Sequence, residues 1–102
     1  MLKIYGHPDC PDCRNCVKNF DFYKVEYEYY DIRELKNLKQ FLIYRDTNPR
    51  VFDRLKMIHD IGIPCIVDDG IVFTDWEAYL KYYNHEPIDY ENESCSILHK
   101  NC

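Results

Sequence analysis

Three of the chain's six cysteines fall within ten residues, in the stretch HPDCPDCRNC from His7 to Cys16. Cys10 and Cys13, two residues apart, suit thiol-disulfide exchange: one sulfur attacks a disulfide as thiolate, and the second is near enough to break the mixed disulfide and close an internal bond. Four thiols would suit a different chemistry, a zinc or iron-sulfur site, and Cys16 and Cys65 are the candidates to complete one with Cys10 and Cys13. Helix geometry opposes that set, because Cys10 and Cys16 would point to different faces of one helix. Cys95, His99 and Cys102 are also ligand types, at a polar C-terminus where stray cysteines are the competing reading.

A thiol becomes nucleophilic only when something stabilises its anion, and a helix N-terminus does so with free N–H groups and its dipole. Asp9 and Asp12 flank Cys10 and work the other way: a charge about 7 Å off opposes thiolate by about 1 kcal/mol at an effective dielectric near 40. The two effects nearly cancel. A Cys10 pKa of about 7 to 8 is therefore expected, that of a reducing dithiol and not of a strong oxidant.

The elements that must hold this site are legible around it. Leu2 to Tyr5 is a short apolar run closed by Gly6 and Pro8, as in a buried strand. Pro11 suits a first helical turn, and Cys13, Cys16, Val17 and Phe20 recur at helical spacing, which predicts a helix from about Pro11 to Tyr23. Val25 to Ile32 alternates as a second strand. Leu35, Leu38, Phe41 and Leu42 mark a further helix, Pro49 interrupts, and Val51, Phe52, Leu55, Ile58 and His59 resume helical spacing up to Gly62. Pro64 to Val67 and Ile71 to Phe73, joined by Asp68 to Gly70, form a hairpin. Thr74 to Glu77 spells a capping box for a last helix carrying Trp76, Tyr79, Leu80 and Tyr83. The order implies an α/β domain, a four-stranded mixed sheet flanked by helices, with the first two strands parallel and the hairpin antiparallel. Residues 1–84 are expected to form this domain and residues 85–102 a polar, at most loosely docked tail.

Composition narrows the function. With 102 residues, 46% of them hydrophobic and 16% aromatic, the chain has enough core for one domain without disulfide staples. A net charge of -5 argues against nucleic acid, so the ten tyrosines are read as packing and not as base-stacking platforms. No stretch approaches a membrane span. The first residues lack the pattern of a secretory signal, so a cytoplasmic protein is expected, where cysteines serve catalysis or metal binding more than permanent disulfides. A monomer is expected.

The segments KIYGHPDCPDC and GIPCIVDDG resemble the two signatures of the glutaredoxin branch of the thioredoxin-like superfamily, and the likeness runs over roughly residues 2 to 84. CPDC followed by NLKQFLIYRDTNPRVFDRLKMIHDIGIPCIV is similar to small bacterial glutaredoxin-like proteins. The resemblance implies a thioredoxin-like (glutaredoxin) fold and a redox-active CxxC motif in which Cys10 attacks and Cys13 resolves. It also implies a cis Ile63–Pro64 bond facing them, with the Ile63 backbone presented to a bound peptide or glutathione. Read from the residues alone, Pro64 is a strand-start proline. No bound cofactor is implied; the partner is a disulfide-bearing protein, or glutathione as co-substrate.

Departures from the family pattern weaken the glutathione site. His7 stands where a lysine usually holds a glutathione carboxylate, Asp12 replaces an aromatic residue, and Phe73 and Thr74 replace paired glycines. Thr74 and Asp75 still head a helix whose N–H groups can take a carboxylate, although the charge of Asp75 repels one. Substrate contacts are therefore expected from His7, Pro11, Asp12, Ile63, Pro64, Thr74 and Asp75. Cys16 and Cys65 are candidate additional redox thiols against the plainer reading of small buried hydrophobes, with Cys65 expected within reach of the dithiol. His59 is expected half-buried on its helix, and Trp76 packed or covering the edge of the site. The function expected is a thiol-disulfide oxidoreductase acting on protein disulfides or glutathione mixed disulfides. A metal-binding thiolate module without turnover is the alternative, and a non-catalytic interaction module a third.

Overall fold

The structure is a computed structural model, and it describes residues 1–91. Cys95, His99 and Cys102 lie outside the described residues. Eight elements follow one another: β1 (Leu2–Gly6), α1 (Pro11–Phe22), β2 (Tyr27–Asp31), α2 (Leu35–Thr47), α3 (Pro49–Met57), β3 (Cys65–Asp68), β4 (Ile71–Phe73) and α4 (Trp76–Tyr82). The sheet order is β2-β1-β3-β4. β1 runs parallel to β2, with Ile4 opposite Tyr29, and antiparallel to β3, with Tyr5 opposite Cys65. This is the mixed four-stranded sheet that the order of elements implied.

Two apolar clusters sandwich the sheet because successive side chains of a strand point to opposite faces. Leu2, Ile4 and Ile66 face α1 and α4, where they meet Cys16, Phe20, Trp76 and Leu80. Tyr5, Cys65 and Val67 face the other way, onto Phe41 of α2 and Phe52 of α3. The hairpin turns on Asp69 and Gly70, both with positive φ, as a two-residue turn between right-twisted strands requires.

Helix ends account for most differences from the sequence reading. α1, α3 and α4 all close in the same way, through a residue of positive φ that is not glycine: Lys24, His59 and Asn84. In each case the following N–H reaches back to the last turn, Val25 to Phe20, Asp60 to Leu55 and His85 to Leu80, at 2.8–2.9 Å. His59 is thus an exposed helix terminator and not a half-buried helical residue. The closure at Lys24 and Val25 also delays the second strand to Tyr27. At α4, Asp75 and not Thr74 is the N-cap, its carboxylate accepting from the Ala78 N–H at 3.0 Å. Aspartate and threonine both cap well and stand side by side here, so sequence alone does not choose between them.

Residues His85 to Glu91, read in the sequence as part of a loose tail, lie along α1. The buried Asn19 side chain both donates to the Ile88 carbonyl and accepts from the Ile88 N–H, each at 2.7 Å. Asn15 accepts from the Tyr90 N–H, the Tyr23 hydroxyl donates to the Glu86 carbonyl, and Glu91 bonds Arg14 and Lys18. An asparagine on the inner face of α1, between Cys16 and Phe20, is the sequence signal that a polar partner docks there.

Candidate active site

The site is built at the C-terminal end of β1, where the chain leaves the sheet and enters α1. Cys10 is the N-cap of α1, in extended conformation, with Pro11 fixed at the first helical position. Its sulfur takes the place of the usual capping oxygen and accepts the Cys13 N–H at 3.2 Å. Cys10 is half-exposed, whereas Cys13 is buried at 1% exposure. One sulfur therefore meets solvent and its partner waits one turn behind it.

The two thiols share a proton unequally. The Cys13 thiol and the Cys13 N–H both donate to the Cys10 sulfur and outweigh the burial and the Asp12 charge that oppose ionisation, so the Cys10 pKa falls to about 7. Donating that proton and burial together push the Cys13 thiol far above the usual thiol range. Alkylation of the reduced protein checks this division directly. The rate at Cys10, read by peptide mapping, is expected to rise with pH to a midpoint near 7. At pH 7 about half of it is then thiolate, against roughly 3% for an ordinary thiol, an advantage of roughly 15-fold.

Gly6 permits this arrangement. A Cβ there would stand 3.1 Å from the Cys13 sulfur and 3.0 Å from the Tyr29 hydroxyl, so any larger residue would push Cys13 out of its seat. Neither Gly6 nor Tyr29 was among the residues expected at the site. A glycine closing a strand immediately before a dithiol is the available signal.

Asp12 is turned toward α4, where its carboxylate accepts the Trp76 indole N–H at 3.1 Å. Trp76 is 2% exposed, so this bond fastens the dithiol turn to the core. Loss of water around that carboxyl raises the Asp12 pKa, with the Trp76 bond opposing the rise. Asp12→Asn keeps an acceptor for the indole and removes the charge. It is expected to lower the alkylation midpoint of Cys10 by about half a pH unit to one unit.

The Ile63–Pro64 peptide is cis, and continuing the Tyr5–Cys65 register sets Pro64 opposite Gly6, at the dithiol end of the sheet. His7 precedes the dithiol, its imidazole Nδ1 accepting the Asp9 N–H at 3.0 Å. Thr74 and Asp75 lead into Trp76 and so reach the same end through the Asp12 bond. Pro11 heads α1.

Cys65 is a correction. Strand alternation turns it to the α2–α3 face, away from α1, where it is fully buried with its pKa pushed up to about 12 by loss of water. Cys16 is fully buried on the opposite face, also with a raised pKa from burial. Neither offers a thiolate or an approach for a substrate. Among the described residues, no group of three or more His, Cys, Asp or Glu side chains is gathered as metal ligands. No described helix is long and apolar enough to cross a membrane.

Sheet order and dithiol placement define a thioredoxin-like fold, and a solved structure shares it. A point mutant of the thioredoxin-like protein BC3987 is similar at 19% identity and TM-score 0.51, over 81% of this chain and 96% of that one. The unmutated BC3987 structure aligns at 22% identity and TM-score 0.48, over 81% and 97%. The family model described as Glutaredoxin matches residues 2–58, more than half of the chain and including both Cys10 and Cys13. The chain belongs to the glutaredoxin family. No curated protein matches it.

Proposed function

We propose that the protein is a thiol-disulfide oxidoreductase that reduces protein disulfides or glutathione mixed disulfides. The observation that supports this most is the asymmetry of the pair: a half-exposed Cys10 sulfur stabilised by the Cys13 N–H at 3.2 Å, backed by a buried, protonated Cys13. The Cys10 thiolate attacks one sulfur of the substrate disulfide, forming a Cys10 mixed disulfide and expelling the other substrate sulfur as thiolate. That thiolate, or solvent, takes the Cys13 proton. The Cys13 sulfur then attacks Cys10, closes the Cys10–Cys13 disulfide and releases the second substrate thiol. Two electrons pass from the dithiol to the substrate, and an external thiol such as glutathione must return them.

His7, Pro11, Asp12, Ile63, Pro64, Thr74 and Asp75 form the substrate rim in this reading. The support is their convergence on the dithiol end of the sheet. Asp12 and Asp75 make that rim acidic on the α4 side, which favours a protein disulfide over the doubly carboxylated glutathione there. The reading is tested by turnover of insulin and of a glutathione mixed disulfide; a rate no higher than that of free thiol rejects it.

A further inference from the structure

Beside the dithiol, on the α1–β2 side and away from Pro64 and α4, lies a groove of about 270 Å3 lined by Pro8, Cys13, Arg14, Val17, Lys18 and Tyr29. Two of these residues are cations one helical turn apart. Arg14 donates to the Pro8 carbonyl in the loop before Cys10 and to one oxygen of Glu91, both at 2.9 Å. Lys18 holds the other Glu91 oxygen at 3.0 Å. One carboxylate is thus clasped by two cations, one of them bonded to the loop that carries the attacking thiol. The Glu91 side chain keeps only 15% of its exposure, while Arg14 keeps 40% and Lys18 51%, so both cations remain open to solvent.

We propose that Arg14 and Lys18 are a carboxylate subsite of the dithiol centre, that a disulfide substrate carrying a carboxylate near its sulfurs binds there, and that Glu91 is its built-in competitor. The proposal rests on the oxidoreductase reading and names a substrate class for it. The segment that carries Glu91 does not depend on the clasp alone, because Asn19 holds Ile88 and Tyr23 holds Glu86 independently. Because Arg14 and Lys18 keep 40% and 51% of their exposure, an incoming carboxylate can reach both cations and compete with Glu91 for them. The two cations also offset the repulsion that Asp9 and Asp12 exert on an anionic substrate, which Coulomb steering would otherwise slow.

The test compares two small disulfides, the dianion dithiodipropionate and neutral hydroxyethyl disulfide, as oxidants of the reduced full-length protein. Formation of the Cys10–Cys13 disulfide is followed by quenching and mass spectrometry. The readout is the ratio of the two rates, which cancels any general change in Cys10 reactivity. Glu91→Gln is expected to raise the anionic-to-neutral ratio about fivefold at low salt. Adding Arg14→Gln and Lys18→Gln to that variant is expected to return the ratio to the wild-type value or below. A ratio unmoved by Glu91→Gln, or still raised after both cations are gone, overturns the subsite while wild-type reactivity keeps the oxidoreductase reading intact. A wild-type rate no faster than a free thiol with either disulfide overturns that reading and the subsite with it.

Discussion

Replacing Cys10 by serine is expected to leave the fold intact and to lower disulfide turnover by about three orders of magnitude or more, to the background of free thiol. The fold survives because the position asks for an N-cap acceptor. Cys10 meets that demand with its sulfur, and serine is among the better caps known for a helix. Urea unfolding of the variant is expected to show an unchanged or slightly raised midpoint. Turnover is lost because a serine hydroxyl has no thiolate to offer and forms no mixed disulfide. The same rate assay on both proteins, with unfolding as control, separates the chemical role of residue 10 from its structural one.

Cys13→Ser makes the complementary case. The attacking sulfur keeps the Cys13 N–H, which comes from the backbone, but loses the thiol that also donates to it. The serine hydroxyl can donate in the thiol's place, so the first step proceeds, and the second cannot. A stable mixed disulfide at Cys10 is expected, visible by mass spectrometry and reversed by added dithiol. Trapping at Cys13 in the Cys10→Ser protein would reverse the assigned roles, and it is opposed by the 1% exposure of Cys13.

What the sequence disclosed follows from the range over which each feature is determined. Cys10, Pro11 and Cys13 form one turn, and the Asp69–Gly70 turn is decided by its own two residues, so both could be read locally. The helix closures at Lys24 and His59 carry no such mark, because they adopt the conformation for which glycine or asparagine, as at Asn84, is the usual signal. The face to which Cys65 points depends on strand parity against β1, where a shift of one residue exchanges the two sides of the sheet. Asp12 with Trp76, and Asn19 with Ile88, join residues 64 and 69 positions apart, and nothing in either segment alone names its partner. The general chemistry was local and legible; the clasp around Glu91 and the fastening of the dithiol turn required the fold.

Gly62→Ala is expected to cost about 3 kcal/mol or more of stability, from two sources that act together. Gly62 has a φ of +97°, a region that costs an alanine on the order of 1 kcal/mol by itself. Its missing Cβ would also lie 2.8 Å from two ring carbons of Phe52. That ring cannot step aside. It is fully buried and set edge-on against Phe41 at 6.3 Å between centroids, so the new methyl overpacks a closed layer between α2 and α3. Urea denaturation is expected to show a lower midpoint with unchanged slope, since the buried area is nearly the same. For a chain of this length the loss is a large share of a total stability of about 5 to 15 kcal/mol. Because Gly62 adjoins Ile63 and Pro64, a backbone shift that relieves the clash also displaces the strand end facing Gly6 and Cys13. The variant is therefore expected to lose turnover under conditions in which it remains folded. A stable Gly62→Ala protein with full turnover would show that this strand end does not position the substrate.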